Sequence, residues 1–223
     1  MAGPRRYKLL CPIARALDRV GDRWTLLILR DLHAGPARFS DLQNGLTGIA
    51  PNLLTDRLQQ LIADGLAVKK SGDHGLTLYA LTELGTKSRD LLFELAMFGG
   101  RFEPDEDRQR PGNLRTIAVT LGAACQRVVT PDLAFEAELN VDGELFMLAV
   151  KDGAVDMRYA AANSPDVVMT TSYEPMIAAA EGELPMNEFL QNHVEINTLT
   201  LGKDGELMAL LGGAMQLFHN QGA

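Results

Sequence analysis

The sequence predicts two domains: a mainly helical one with a β-hairpin over residues 1–102, and an α+β one over 113–223. Three observations lead there. The apolar period is 3.6 through the first half and changes to 2 near Leu133. Between the halves, Glu103-Pro-Asp-Glu-Asp-Arg-Gln-Arg-Pro-Gly112 has two prolines and no large apolar side chain, the composition of a linker. The charge also divides: residues 1–103 hold 14 Lys/Arg against 11 Asp/Glu, and residues 104–223 hold 7 against 18. The net charge of −8 therefore hides a basic half, and only that half suits a phosphate backbone.

A chain of 223 residues has room for two domains of roughly 100 residues each, and 46% apolar residues is enough to bury cores. No run approaches the ~20 apolar residues of a membrane helix. The basic start, Met1 to Leu10, lacks the apolar stretch of a secretory leader. Two cysteines, Cys11 and Cys125, without C-x-x-C, make no disulfide framework. A cytoplasmic protein is expected.

Pro12 can open a first helix, with Ile13, Ala16, Leu17 and Val20 at helical spacing and Gly21 as its stop. Trp24 to Leu32 is apolar nearly all round, as a central buried helix is. Phe39-Ser40-Asp41-Leu42 reads as a short helix with Ser40 as N-cap, and Leu46 to Ile49 as a turn. In the helix from Pro51, Leu54, Leu58, Leu61 and Ile62 form the inward stripe. Asn52, Thr55, Asp56 and Gln59 point out, with Arg57 at the flank. Such a polar face fits a major groove, and a solvated surface would use the same residues. Gly65 to Leu81 reads as strand, turn and strand, presenting Lys69, Lys70 and His74. A long helix then runs from Thr82, with an apolar stripe of Leu84, Leu91, Leu92, Leu95, Phe98 and Phe102 that a symmetry mate would cover. Helix, turn, helix, hairpin, helix is the order of a winged helix-turn-helix, and this order favours the DNA reading.

Several stretches carry a resemblance: Cys11-Pro-Ile-Ala-Arg-Ala-Leu17, Gly21-Asp-Arg-Trp-Thr-Leu-Leu-Ile-Leu-Arg30, Gly35-Pro-Ala-Arg-Phe-Ser-Asp-Leu42, Gly48-Ile-Ala-Pro-Asn-Leu-Leu-Thr-Asp-Arg-Leu58, Asp64-Gly-Leu66 and Tyr79-Ala-Leu-Thr-Glu-Leu-Gly85. Over about residues 9–102 they resemble the HxlR family of bacterial winged-helix transcriptional regulators. The resemblance implies a dimer that binds double-stranded DNA. Asn52, Thr55 and Arg57 would face bases, with Pro51 opening the reading helix. Arg38, Ser40, Lys69, Lys70 and His74 would meet the backbone. Two departures stand out: Ala50 replaces a frequent Ser cap, which weakens that helix start by ~1 kcal/mol, and the wing turn is short. Some members sense oxidants with the cysteine matching Cys11. Lys8 and Arg15 lie near it in sequence, but a small packing residue at a helix start is the plainer reading.

In the second half, Asn113 to Arg127 reads as a helix. Leu133 to Val141 alternates as a half-buried strand, and Asp142-Gly143 makes a tight hairpin. Glu144 to Lys151 is apolar on both faces and so is expected to be covered on both. Asp152-Gly153 turns again, and Val155, Met157 and Tyr159 alternate. Asp166–Thr171 and Val194–Leu201 read as strands. Ser172 caps a helix ending at Gly182, a short helix holds Phe189 and Leu190, and Gly205 to Phe218 closes the chain. The sum is an α+β domain with a mostly antiparallel five-stranded sheet. This order, with Ser164-Pro-Asp-Val-Val-Met-Thr-Thr171 and Glu181-Gly-Glu-Leu184, resembles the sterol-carrier-protein-2-like fold over about residues 112–218. The resemblance implies an apolar tunnel between sheet and helices. Seven of the nine methionines fall in this half, suiting either an adaptable cavity or an irregular core. Candidate lining residues are Phe135, Phe146, Met147, Met157, Tyr159, Met169, Tyr173, Phe189 and Met215, with Asn187 and Gln216 as further polar anchors.

The chain has no phosphate loop, G-x-S-x-G or H-E-x-x-H, and its histidines lack metal spacing. No enzyme, cofactor or metal is expected. The first expectation is a homodimeric, or larger, DNA-binding regulator whose second domain senses a small apolar ligand or organises the oligomer. The alternative is a hydrophobic-ligand carrier in which the winged helix serves dimerisation.

Overall fold

The computed structural model describes residues 7–102 and 113–219. The expected linker 103–112 lies outside the described residues, as does the basic start up to Arg6. Chain contacts divide the protein into two compact units. One is Met1–Ser88 with Arg110–Asn113, and the other is Arg89–Gln109 with Leu114–Ala223. The division falls fourteen residues before the expected end of the first domain at 102.

In the first unit the order is α1 (Pro12–Val20), α2 (Thr25–His33), α3 (Phe39–Gly45), α4 (Pro51–Ala63), β1 (Ala67–Ser71), β2 (Thr77–Leu81) and α5 (Glu83–Thr86). Its core gathers Ile28, Leu29, Leu32, Leu42, Leu54, Leu58 and Leu61, all nearly sealed from solvent. β1 and β2 are antiparallel, Lys69 opposite Tyr79. Ala37 adds a rung the sequence did not announce, exchanging two backbone hydrogen bonds with Tyr79 at 2.9 and 2.8 Å. That rung anchors the chain just before α3. Ser40 is not the cap of α3: the helix starts at Phe39, and the Asp41 carboxylate accepts the Arg38 N–H at 2.9 Å. The N3 carboxylate thus reaches back to the N–H of the N-cap residue, as in the reciprocal half of a capping box.

The helix expected from Thr82 to Phe102 is two. Thr82 caps α5, its hydroxyl accepting the Gly85 N–H at 3.0 Å. Gly85 sits so close to Leu66 that a Cβ would fall 2.0 Å from that residue's carbonyl oxygen. The chain then restarts as α6 (Ser88–Gly99). At the break the Ser88 hydroxyl donates to the Gly85 carbonyl at 2.7 Å and meets His33 Nε2 at 2.9 Å. A serine hydroxyl spent on a helical carbonyl bends or interrupts the helix.

The second unit begins with α6 from Arg89 and continues with α7 (Thr116–Val128), β3 (Phe135–Val141), β4 (Glu144–Lys151), β5 (Ala154–Arg158), β6 (Val167–Thr171), α8 (Tyr173–Glu181), α9 (Met186–Asn192), β7 (Val194–Thr198) and α10 (Lys203–His219). The sheet order is β5-β4-β3-β6-β7. It has the five strands expected, but it is mixed: β3 and β6 run parallel while the other three pairings are antiparallel. Both Asp-Gly pairs make the expected tight turns. Their φ values are 52° at Asp142, 86° at Gly143, 51° at Asp152 and 73° at Gly153. Ser172 holds the N-cap position of α8 without a capping side-chain bond, and Gly182 ends the helix at φ 82°.

β4 is sealed on one face only. Phe146, Leu148 and Val150 are buried, while Leu145, Met147 and Ala149 stay half-buried. A loop, not a helix, covers part of that second face. Glu138 accepts the Ala162 N–H at 3.0 Å, and Glu136 accepts those of Asn163 and Ser164 at 2.7 and 3.2 Å. Asp166 closes the loop by accepting the Glu136 N–H at 2.9 Å. That backbone bond, the Thr200 hydroxyl and the Lys203 charge hold its carboxyl below the usual range. Among the described residues no helix is long and apolar enough to cross a membrane, and no group of three metal-ligating side chains occurs.

A candidate nucleic-acid interface and an apolar cavity

α4 begins at Pro51 with Ala50 extended before it, and no side chain caps its start. Its inward stripe is the expected one, with Leu54, Leu58 and Leu61 buried and Ile62 half-buried. Its outward face carries Asn52, Thr55, Asp56 and Gln59, all exposed. Thr55 has spent its hydroxyl proton on the Pro51 carbonyl at 2.9 Å, so it offers a methyl group and an acceptor. Asn52 Oδ1 accepts the Leu53 N–H at 3.0 Å, which leaves its amide protons facing outward.

Arg57 is placed differently. Its guanidinium donates to Asp22 at 2.7 Å, and both side chains are only about one-third exposed, 31% and 33%. Asp22 also accepts the Trp24 N–H at 3.0 Å, at the start of α2. Arg57 thereby ties α4 to the α1–α2 corner. Arg19 makes a similar tie to Asp64, just past the end of α4.

On the wing, Lys69, Lys70 and His74 are exposed. Lys69 Nζ lies 5.7 Å from the centre of the Tyr79 ring. That attraction gives a flexible ammonium one preferred place. His74 adopts φ 55°, inside the short 3-10 turn Asp73–Gly75 between the strands. Arg38 and Ser40 are exposed at the start of α3. Helix α4, the wing lysines and the α3 start therefore belong to one unit and all reach its surface.

The apolar stripe is exposed at Leu91, Leu95 and Phe98 on α6 and at Phe102 just past its end, by 49, 46, 58 and 62%. Phe98 and Phe102 meet edge-on at 5.2 Å. Leu84, on α5, is exposed as well. Leu92 departs from the expected set: it is buried at 7%, because one residue past Leu91 turns it toward the core beside Phe93 and Met97. The other side of α6 is clamped. Arg127 lies 3.9 Å over the Phe93 ring and bridges to Glu94 and Asp90 at 3.2 and 3.3 Å.

The second unit contains a cavity of about 820 Å³. Small-molecule sites are commonly of this size. Six methionines line it (Met97, Met169, Met176, Met186, Met208 and Met215), with Phe102, Phe189 and Phe218. Of the residues expected at a ligand site, Met169, Tyr173, Phe189 and Met215 are there. Phe135, Phe146, Met147, Met157 and Tyr159 are not. The sheet packs on α7 with no room between them: a Cβ on Gly122 would lie 3.0 Å from the Met157 Cβ. Phe135, Phe146 and Met157 are core, Met147 lies on the loop-covered face, and Tyr159 stacks edge-on with Phe146 at 5.4 Å beneath Arg115. Asn187 and Gln216 do not line it either. The space opens among α6, α7, α8, α9 and α10. Sequence reading missed Met97 because it lies in a helix assigned to the first domain.

The cysteines differ. Cys11 is half-buried at the N-cap of α1 without a capping bond. Cys125 is sealed in α7, and burial pushes its thiol up to about 12. It therefore stays a packing residue at neutral pH.

Residues 19–107 match the HxlR-like helix-turn-helix family. The HTH-type transcriptional regulator YkvN of Bacillus subtilis is 31% identical over 101 residues, covering 44% of this chain and 86% of its own length. YtfH of Escherichia coli K12, also described as an HTH-type transcriptional regulator, is 36% identical over 90 residues, covering 39% and 70%. An HTH-type transcriptional regulator of Mycobacterium tuberculosis is 39% identical over 94 residues, covering 41% of this chain and 59% of its own length. This chain thus spans little more than half of the mycobacterial relative.

Proposed function

Because the chain belongs to the HxlR family of helix-turn-helix proteins, we propose that it is a DNA-binding transcriptional regulator acting as a dimer. The observation that carries this reading is the outward face of α4, whose polar side chains stand exposed over a buried leucine stripe beside two exposed wing lysines. Helix α4 enters the major groove. The Asn52 amide supplies donors to a base edge, Gln59 supplies a donor and acceptor pair, and the Thr55 methyl suits a thymine. Arg38, Ser40, Lys69, Lys70 and His74 hold phosphates and set the register. Arg57 acts through position, fixing the angle at which α4 leaves the unit.

A regulator of this kind reads paired half-sites, so it needs two copies of α4. The stripe Leu91, Leu95, Phe98 and Phe102 is the surface on which a second chain sits, since an exposed run of that size on a soluble protein marks a contact. On the reading of the second unit as sterol-carrier-protein-2-like, its cavity is the place for a small apolar ligand. Ligand control requires that the occupant bind the DNA-competent and incompetent forms unequally.

Selection from a random duplex library tests the reading. The full chain is expected to enrich a two-fold-related sequence with half-sites about one helical turn, ~34 Å, apart. Recovery of duplexes with no shared sequence would sink the regulator reading.

A further inference from the structure

Three features of the second unit meet at one place. The first is that Ala96, Met97 and Gly99 at the end of α6, with Gly100, Arg101 and Phe102 just after it, form one wall of the cavity. The second is that Gly99 and Gly212, both mid-helix or at a helix end, line it, and a Cβ built on either would meet nothing within 4 Å. A glycine weakens a helix, yet no neighbour packs close enough to demand one here. What the missing side chains leave is room. The third is that the opposite face of the same helix carries the exposed Leu91, Leu95 and Phe98.

The lining states which chemistry fits. Thioethers and aromatic rings adapt to a hydrocarbon of irregular shape. The polar groups on α7 are the uncharged Thr116 and Thr120. Thr120 donates its hydroxyl proton to the Thr116 carbonyl at 3.0 Å, so its oxygen is left as an acceptor. Among the described residues the charged ones that line it are Arg101 and Glu181, both exposed, which place opposite charges at the rim. A charged group carried inward would lose its hydration without a buried counter-charge, whereas a hydroxyl aimed at Thr120 keeps a hydrogen bond.

We propose that the cavity takes one uncharged, largely hydrocarbon molecule bearing a hydroxyl group, and that its occupancy orders the end of α6 and strengthens self-association through the other face of that helix. The second clause rests on the reading of α6 as the dimer contact. Gly99 and Gly100 make the last turn costly to order. An occupant packed against Met97 and Phe102 meets that cost before two chains come together, so ligand and partner favour each other. Phe102 belongs to both surfaces: it lines the cavity, and it packs against Phe98 on the stripe.

The test uses the full chain, with 1-dodecanol and dodecanoate as probes of equal length. Binding is read by calorimetry and the dimer Kd by sedimentation. The alcohol is expected to bind one per chain, at least tenfold more tightly than the carboxylate, and to lower the dimer Kd by about fivefold or more. Gly212→Phe fills the cavity from α10 and should abolish both effects, while Gly212→Ala keeps them. Thermal unfolding shows whether the Phe variant is folded, and Gly99→Leu fills the same space from α6 if it is not. Dodecanoate binding as tightly as the alcohol overturns the ligand chemistry. Alcohol bound with the dimer Kd unchanged overturns the coupling. Alcohol failing to bind a chain that still dimerises removes the site and leaves the dimer standing. Self-association that survives Leu95→Asp with Phe98→Asp removes the dimer contact itself, whatever the alcohol does.

Discussion

Helices α4 and α6 each bury a stripe of large apolar side chains: Leu54, Leu58 and Leu61 in the first, Leu92, Phe93 and Met97 in the second. Each is also held by an arginine, Arg57 in one and Arg127 in the other. Their outward faces are opposites. α4 shows amides, a hydroxyl and a carboxylate, and α6 shows two leucines and a phenylalanine, with Phe102 just past its end. The inward pattern makes a helix pack, while the outward face selects its partner. A polar face keeps its hydration until it meets groups that can replace it, and an apolar face gains by leaving water altogether.

The sharpest way to break this comparison is to make the faces alike. Leu95→Asp with Phe98→Asp puts two charges where α6 is apolar, and should raise the dimer Kd by about 100-fold or more, read by sedimentation. DNA affinity should fall with it, because one half-site no longer assists the other. A dimer that persists at low micromolar concentration would show that the stripe has another partner. Next in size, Lys69→Ala with Lys70→Ala should lower DNA affinity evenly across sequences. The slope of log K against log salt should become shallower by about 0.9 for each phosphate no longer neutralised. An unchanged slope would remove the wing lysines from the interface. Smaller again, Arg127→Ala removes a cation from the Phe93 ring and from two exposed carboxylates. It should cost about 1 kcal/mol of stability, most of it from the ring contact. An equal loss in Glu94→Ala would instead place the energy in the ion pair.

Much of this was legible in the residues. Local signals carried the element order: Pro12 and Pro51 open helices, Asp142-Gly143 and Asp152-Gly153 make turns of positive φ, and strict alternation marks β3. What stayed hidden depends on partners distant in sequence. The rung between Ala37 and Tyr79 joins residues 42 apart and leaves no periodic trace. The division after Ser88 follows from helix α6 packing on α7 and α10, as the pairing of Phe93 with Phe218 shows. Composition puts the boundary at the charged linker, since composition records solvation and not contact. The cavity was half legible for the same reason. Met169, Tyr173, Phe189 and Met215 were found by residue type, whereas Phe146 and Met157 have the same chemistry but pack between sheet and helix. Arg57 read as a base contact by its position on the helix, and only the fold places Asp22 beside it.

Arg57 gives the finest test of what the outward face of α4 contains. If the side chain only positions the helix, Arg57→Ala removes an ion pair that is about one-third exposed, and stability falls by no more than ~1 kcal/mol. Binding to an enriched operator and to random duplex should then weaken by the same small factor, because a slightly misplaced helix loses both. Asp22→Ala should do likewise, since it cuts the same tie from the other end. The base-reading alternative predicts opposite signs. There Arg57 must leave Asp22 to reach a guanine, so Asp22→Ala frees it and strengthens operator binding, while Arg57→Ala weakens the operator far more than random DNA. Equilibrium binding of both variants to the two duplexes separates these outcomes. Equal, small losses keep Arg57 off the reading face of α4, and opposite shifts would move it onto that face.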